Sequence, residues 1–255
     1  MEWMPRTGRV LGVLLTGLAM VCGPVCRGAG RVLHEGVSCG GVSYRYVLFV
    51  PDGKAAAGAS LPAVVVLHGA GDSPDPMVAA WMPLAKAQGV VLIAPELPRV
   101  ASFEALAPAV FVCMVEASKR VVRLDAARVY LFGNSMGGYL AYDAGLLRPD
   151  YFAAVAVHAM VIDPEYEGLV KQAVRKIPVA MYCGVDDALV PVARARATRK
   201  LLQAHGFSVH YVEIEGHDHN YYALSEDVNR DAWAFMKEKR LEVDASGVGV
   251  ERGKL

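Results

Sequence analysis

Residues 128–138 read RVYLFGNSMGG: a hydrophobic run that breaks into a single serine set among three glycines. A plain turn needs one such glycine, or two. Gly133-Asn134-Ser135-Met136-Gly137 fits G-x-S-x-G, a strand-to-helix turn that holds its serine at the carboxyl edge of a sheet. The glycines have a steric reason, since side chains two residues either side of the serine would strike the neighbouring strand and helix. The turn also aims a helix N-terminus, and the Met136 N–H, at the place where negative charge would develop in attack by the serine. Alone the pattern is weak. Its context strengthens it, because RVYLF reads as a strand and MGGYLAYDAGLL as a helix.

Working outward, strands and helices alternate. VSYRYVLFVP from Val42 alternates in polarity and closes on the turn Pro51-Asp52-Gly53. AVVVLHG (Ala63 to Gly69) and VVLIAPE (Val90 to Glu96) are continuous apolar runs, as expected of strands buried on both faces of a parallel sheet. Helices are expected over 77–88, ending at Gly89, and over 109–124. Beyond the serine come a helix, an apolar run at 152–159, a strand at 177–184, a helix over about 192–205, a strand within 208–216 and a last helix over about 225–240. The alternation predicts a doubly wound, mostly parallel α/β sheet with helices on both faces. Between Ala159 and Lys176 there is room for a short helix but not for a large lid.

A serine hydroxyl needs a base, and the base an orienting carboxylate. Gly184-Val185-Asp186-Asp187 follows the strand IPVAMYC, and an acid just past a strand's carboxyl end stands where such a carboxylate must. Both aspartates qualify; the strand end near Cys183 favours Asp187, with Asp186 as the alternative. Past the last strand comes Glu215-Gly216-His217-Asp218-His219-Asn220-Tyr221-Tyr222. Two histidines spaced by two tend to face opposite ways in an extended loop, so one meets Ser135 and the other packs or touches substrate. His-Asp-His also invites a metal reading, but without a helical spacing or a third ligand no metal is expected. His34, His158, His205 and His210 read as surface or core, with His158 placed near the same sheet edge. LHGAGDS (Leu67 to Ser73) follows the first core strand, where a second oxyanion donor would stand, and Ala70 N–H is the candidate beside Met136 N–H.

The 255 residues suit one sizeable domain, here residues 31–242, with a patternless tail at 243–255. Lysine plus arginine and aspartate plus glutamate number 26 each, so no overall field attracts nucleic acid or a membrane surface. Residues 1–30 look like an export signal: Arg6 and Arg9, the apolar stretch Val10 to Gly23, then small residues near Gly28 to Gly30. That stretch is short against the ~20 residues of a membrane span. The expectation is therefore an extracytoplasmic protein with no stable span after cleavage, and an uncleaved anchor is the alternative. Val21 and Val25, before Cys22 and Cys26, are bulky for a lipoprotein site. Cleavage would leave Cys39, Cys113 and Cys183, which allows one disulfide and a spare thiol, or none.

These segments together resemble the α/β-hydrolases, and within them the polyhydroxybutyrate-depolymerase-like, feruloyl-esterase-like and S-formylglutathione-hydrolase-like esterases. The likeness rests on YRYVLFVP, VVLHGAGDS, LDAARVYLFGNSMGG, GVDDALVP and EGHDHNYY, and spans roughly Tyr44 to Phe235. It implies an α/β-hydrolase fold and a cofactor-independent serine esterase acting on a small or surface-exposed ester. The G-x-x-D-x-x-V-P pattern of these relatives places the acid on Asp187. For the base the resemblance divides: a GHD-type sequence lands on His217, and a DHSYY-type sequence on His219. His217 is the expectation, because histidine directly after glycine is the more widespread arrangement, and His219 the alternative. Acyl transfer or peptide cleavage by the same triad, and a non-catalytic binding role on a hydrolase scaffold, stand as rival readings.

Overall fold

The apolar runs pair side by side into one sheet because each is buried on both faces. In the computed structural model, which describes residues 30–53, 55, 57–97, 108–163 and 166–242, the elements alternate as expected. Strands β1 (Arg31–Cys39) and β2 (Val42–Val50) open the chain, followed by β3 (Leu61–Leu67), α1 (Pro74–Gln88), β4 (Val91–Pro95) and α2 (Pro108–Ser118). Then come β5 (Leu124–Asn134), α3 (Met136–Leu147), β6 (Ala154–His158), α4 (Glu167–Gln172), β7 (Val179–Gly184), α5 (Val192–Ala204), β8 (Val209–Ile214) and α6 (Ser225–Met236). The export-signal reading of residues 1–30, apart from Gly30, and the tail at 243–255 lie outside the described residues.

The eight strands lie in the order β1-β2-β4-β3-β5-β6-β7-β8. β1 pairs antiparallel with β2, and β2 with β4; every other pairing is parallel. Strand residues alternate between two cores, as the two-residue period requires. In β3, Ala63, Val65 and Leu67 enter the layer shared with Phe111 and Met114 of α2, Leu140 of α3, Val170 of α4 and Leu202 of α5. Val64 and Val66 enter the opposite layer with Met77 and Trp81 of α1 and Val228 and Trp233 of α6. The doubly wound expectation is thereby met. Trp81 and Phe111 are fully enclosed in these layers.

Several elements differ from the sequence reading. α1 begins at Pro74 rather than Met77, with proline in the first turn, where its missing N–H costs nothing. Its end is as expected, with Gly89 at φ 73° donating its N–H to Ala85 O. α2 stops at Ser118, short of Leu124, because the sheet takes the following residues: Leu61 N–H bonds Arg123 O, and Leu124 pairs with Leu61. β1 has no counterpart in the sequence reading. It is an edge strand of exposed and half-buried residues, and carries no apolar run to reveal it. Cys39, at its end, is bridged to Cys113 in α2, while Cys183 is a free, buried thiol. No described helix is long and apolar enough to cross a membrane.

Candidate active site

The centre of the sheet edge is built by the turn between β5 and α3. Ser135 sits at φ 51° and ψ −120°, a strained backbone for a residue with a Cβ. Gly133 and Gly137 are required here. A Cβ on Gly133 would lie 2.1 Å from the Gly137 carbonyl oxygen, and one on Gly137 would lie 2.2 Å from the Leu67 oxygen. The turn is held open by Ser135 N–H donating to His158 O at 2.9 Å, across the β5–β6 pairing.

β7 delivers the acid. Asp187 is buried, 3% exposed, and its Oδ1 accepts the Leu189 and Val190 N–H groups, both at 2.8 Å. Its Oδ2 lies 2.8 Å from His219 Nδ1. Asp186 points to solvent, and its backbone N–H goes to His217 O at 3.0 Å. Of the two aspartates, the structure therefore puts Asp187 against an imidazole.

That imidazole belongs to His219, whose Nε2 is 2.9 Å from Ser135 Oγ. His217 does not reach the serine. Its ring turns inward, 4% exposed, with Nε2 3.0 Å from His158 Nε2. The reason is local. Gly216 at φ 68° bends the chain after β8, His217 N–H closes onto Ile214 O, and the alternation that follows sends His217 under the sheet edge and His219 over it. Asp218 Oδ1 takes the Asn220 N–H at 2.8 Å, and Tyr221 is fixed below by its hydroxyl to Asn229 Oδ1 at 2.6 Å, so this arrangement has support at both ends.

The loop after β3 lies beside the serine. A Cβ built on Gly69 would stand 3.7 Å from Ser135 Cβ. Gly69 O accepts from His68 Nδ1 at 2.8 Å, while His68 Nε2 accepts the Leu97 N–H at 3.2 Å. In a trans peptide the N–H opposes the carbonyl, so this bond turns the Ala70 N–H away from the His68 ring. Burial pushes the His68 imidazole below its ordinary range, in keeping with a neutral ring that donates at one nitrogen and accepts at the other. Met136 N–H, in the first turn of α3, is among the amides a helix leaves without an intrahelical acceptor. On the far side of the loop, Asp72 accepts the Tyr222 hydroxyl, which ties the loop after β3 to the loop that carries His219.

Sequence reasoning did not reach the roles of His68, Asp72 or Tyr222. The His68 position was within the quoted LHGAGDS, yet nothing local marks its bond to Leu97, 29 residues on. His158 was placed near the edge but left as a lining or core residue. It is wholly buried, with Nδ1 2.9 Å from Asn134 Oδ1, and burial together with the adjacent His217 and His219 pushes its pKa down to about 3.

A mostly parallel eight-stranded sheet with a serine turn after β5, an acid after β7 and a histidine after β8 is the α/β-hydrolase fold. Compared with protein-family models and with curated proteins, the chain matches none. Solved structures do resemble it. A thermostable esterase superposes with a TM-score of 0.66 at 24% identity, over 82% of this chain and 63% of that one, so the chain spans less than two thirds of that protein. An S-formylglutathione hydrolase from Agrobacterium tumefaciens gives 0.69 at 17% identity, covering 83% and 96% of the two chains. A ferulic acid esterase from Anaeromyces mucronatus gives 0.64 at 14% identity, covering 82% and 90%. At these identities the likeness is one of fold.

Proposed function

We propose that this chain is a serine hydrolase that cleaves carboxylic esters through Ser135, His219 and Asp187. The observation that carries the reading is the continuous pair of contacts, Ser135 Oγ to His219 Nε2 at 2.9 Å and His219 Nδ1 to Asp187 Oδ2 at 2.8 Å, on a strained serine turn. Asp187 accepts from His219 Nδ1–H, which leaves Nε2 with its lone pair towards the serine hydroxyl. Ser135 Oγ attacks the ester carbonyl as its proton passes to Nε2. The oxyanion is held by the N–H groups of Ala70 and Met136. Collapse breaks the bond to the alcohol oxygen, which leaves with the proton from Nε2. Water then attacks the acyl-enzyme with the same base, releasing the acid and restoring Ser135. No step calls for a metal or organic cofactor.

His219 replaces His217 as the base in this proposal, because His217 Nε2 is engaged by His158. The esterase choice among serine hydrolases is favoured by the fold's likeness to a thermostable esterase and a ferulic acid esterase. A small or surface-exposed ester suits a chain in which the stretch between β6 and β7, too short for a large lid, carries the six-residue helix α4. An extracytoplasmic location suits the Cys39–Cys113 bridge, since disulfides persist in oxidising compartments.

The test is hydrolysis of p-nitrophenyl esters from acetate to decanoate by wild type, Ser135→Ala and His219→Ala. Turnover abolished by both changes is expected, and the chain-length profile then reports the acyl preference. Adding an alcohol or amine as competing acceptor separates hydrolysis from acyl transfer. Equal rates in wild type and Ser135→Ala would overturn the proposal.

A further inference from the structure

Beneath the proposed triad lies a second, buried polar layer that the hydrolytic steps do not use. His158, at the end of β6, is paired in the sheet with Asn134, the residue before the serine. Asn134 Oδ1 can only accept, so the 2.9 Å contact places a proton on His158 Nδ1. The neutral ring then presents a lone pair at Nε2. His217 Nε2 stands 3.0 Å away and must supply the single proton that this contact needs. The other end of the Asn134 amide faces the oxyanion loop, where a Cβ on Gly69 would meet Nδ2 at 3.2 Å.

The backbone of the same two histidines reaches both functional turns. His158 O holds the Ser135 N–H, and His217 O holds the Asp186 N–H, beside the acid. The fit at His217 is tight, since a Cβ on Gly184 would lie 2.1 Å from the His217 oxygen. Ring to ring and carbonyl to amide, His217 and His158 therefore bridge the turn that carries Asp187 to the turn that carries Ser135. His219 is two residues along the chain from one end of that bridge.

We infer that His217 is a positioning residue: its Nε2–H bond to His158 sets the separation of the serine and acid turns, and so the reach of His219 between them. This rests on the hydrolase reading above and deepens it. It also gives His217, the first histidine of His-Asp-His, a task distinct from that of a base. A base must accept and return a proton; His217 needs only to donate one hydrogen bond, which a glutamine amide can do and an alanine cannot.

Steady-state kinetics on p-nitrophenyl acetate with wild type, His217→Ala, His217→Gln and His219→Gln decide the matter. A displacement on the order of an ångström costs about 10²-fold, so His217→Ala is expected to lower kcat by roughly that factor with KM little changed. His217→Gln is expected to recover most of the loss. His219→Gln should stay inactive, down by on the order of 10⁴-fold or more, since an amide is no base. Should His217→Ala fail to fold, the two glutamine variants still decide: a folded but inactive His217→Gln overturns the assignment. So does a His217→Ala enzyme with wild-type kcat. A wild type that neither turns over ester nor reacts with a phosphonate at Ser135 overturns the hydrolase reading and this assignment with it, whereas an active, Ser135-dependent wild type with an indifferent His217 overturns the assignment alone.

Discussion

His219 and His217 are two residues apart, carry the same side chain and end in opposite environments. His219 is half-buried at the mouth of the site, between Ser135 and Asp187. His217 is buried beneath it, against a ring that is itself wholly enclosed. Exposure decides what each can do. A proton carrier must reach both substrate and solvent, while a buried imidazole in a closed network is fixed in one tautomer and can only hold position. The upper layer is equipped for chemistry and the lower one for geometry, and the difference comes from one bend at Gly216 and a two-residue alternation.

The largest effects should fall on the upper layer. Ser135→Ala should reduce kcat by about 10⁶-fold, and Asp187→Asn by about 10⁴-fold through the wrong imidazole tautomer, both with thermal stability near wild type. Loss of activity in Asp187→Asn no greater than in Asp186→Asn, measured side by side, would break the distinction between the two aspartates.

Besides the effect of His217 on kcat, the lower layer should show itself in stability. The folded-state pKa of His158, about 3, lies below its ordinary 6.5. The unfolded chain therefore takes up a proton first as pH falls, so stability is fully present above pH 6.5 and is lost as pH drops towards 3. Between pH 7.5 and 4.5 the loss from this one ring should be on the order of 3 kcal/mol. Urea midpoints at the two pH values, for wild type and His158→Gln, measure it. The variant should lose distinctly less than wild type, and an equal loss would contradict the account.

The fold was legible where burial writes a long pattern. Continuous apolar runs marked β3, β4 and β6, and glycines forced by backbone contacts marked the serine turn. The aspartate that meets an imidazole was legible too, because a strand end is a local feature. Which histidine meets the serine was not. GH and DHNYY are both short, and what separates the two histidines is His217's contact with His158, 59 residues away. β1 was invisible for a related reason, since it is held by pairing with β2 and by the half-buried Leu33 and Val37 rather than by a continuous apolar run. The Cys39–Cys113 pairing spans 74 residues and leaves no local trace.

That bridge, between edge strand β1 and α2, offers a control outside both layers. Replacing Cys39 and Cys113 by serine should cost about 2–4 kcal/mol of unfolding free energy while kcat holds, as read by denaturant titration beside the ester assay. A collapse of kcat at full folding would show that the β1–β2 end is coupled to the site.

The smallest effect belongs to the rim. Tyr222→Phe removes the hydroxyl that Asp72 accepts and unties the loop after β3, the proposed oxyanion loop, from the His219 loop. A hydrogen bond worth about 1 kcal/mol predicts roughly a fivefold fall in kcat. Asp72→Asn combined with Tyr222→Phe should add little further, and fully multiplicative losses would mean the two act independently.

The central claim is that Ser135 is the nucleophile and His219 its base. It is tested most directly by treating wild type, His219→Gln and His217→Gln with a fluorophosphonate and locating the adduct by mass spectrometry. The account predicts one adduct, on Ser135, formed quickly in wild type and His217→Gln and barely at all in His219→Gln. No adduct on Ser135 in wild type, or equal labelling when His219 is replaced, would contradict it.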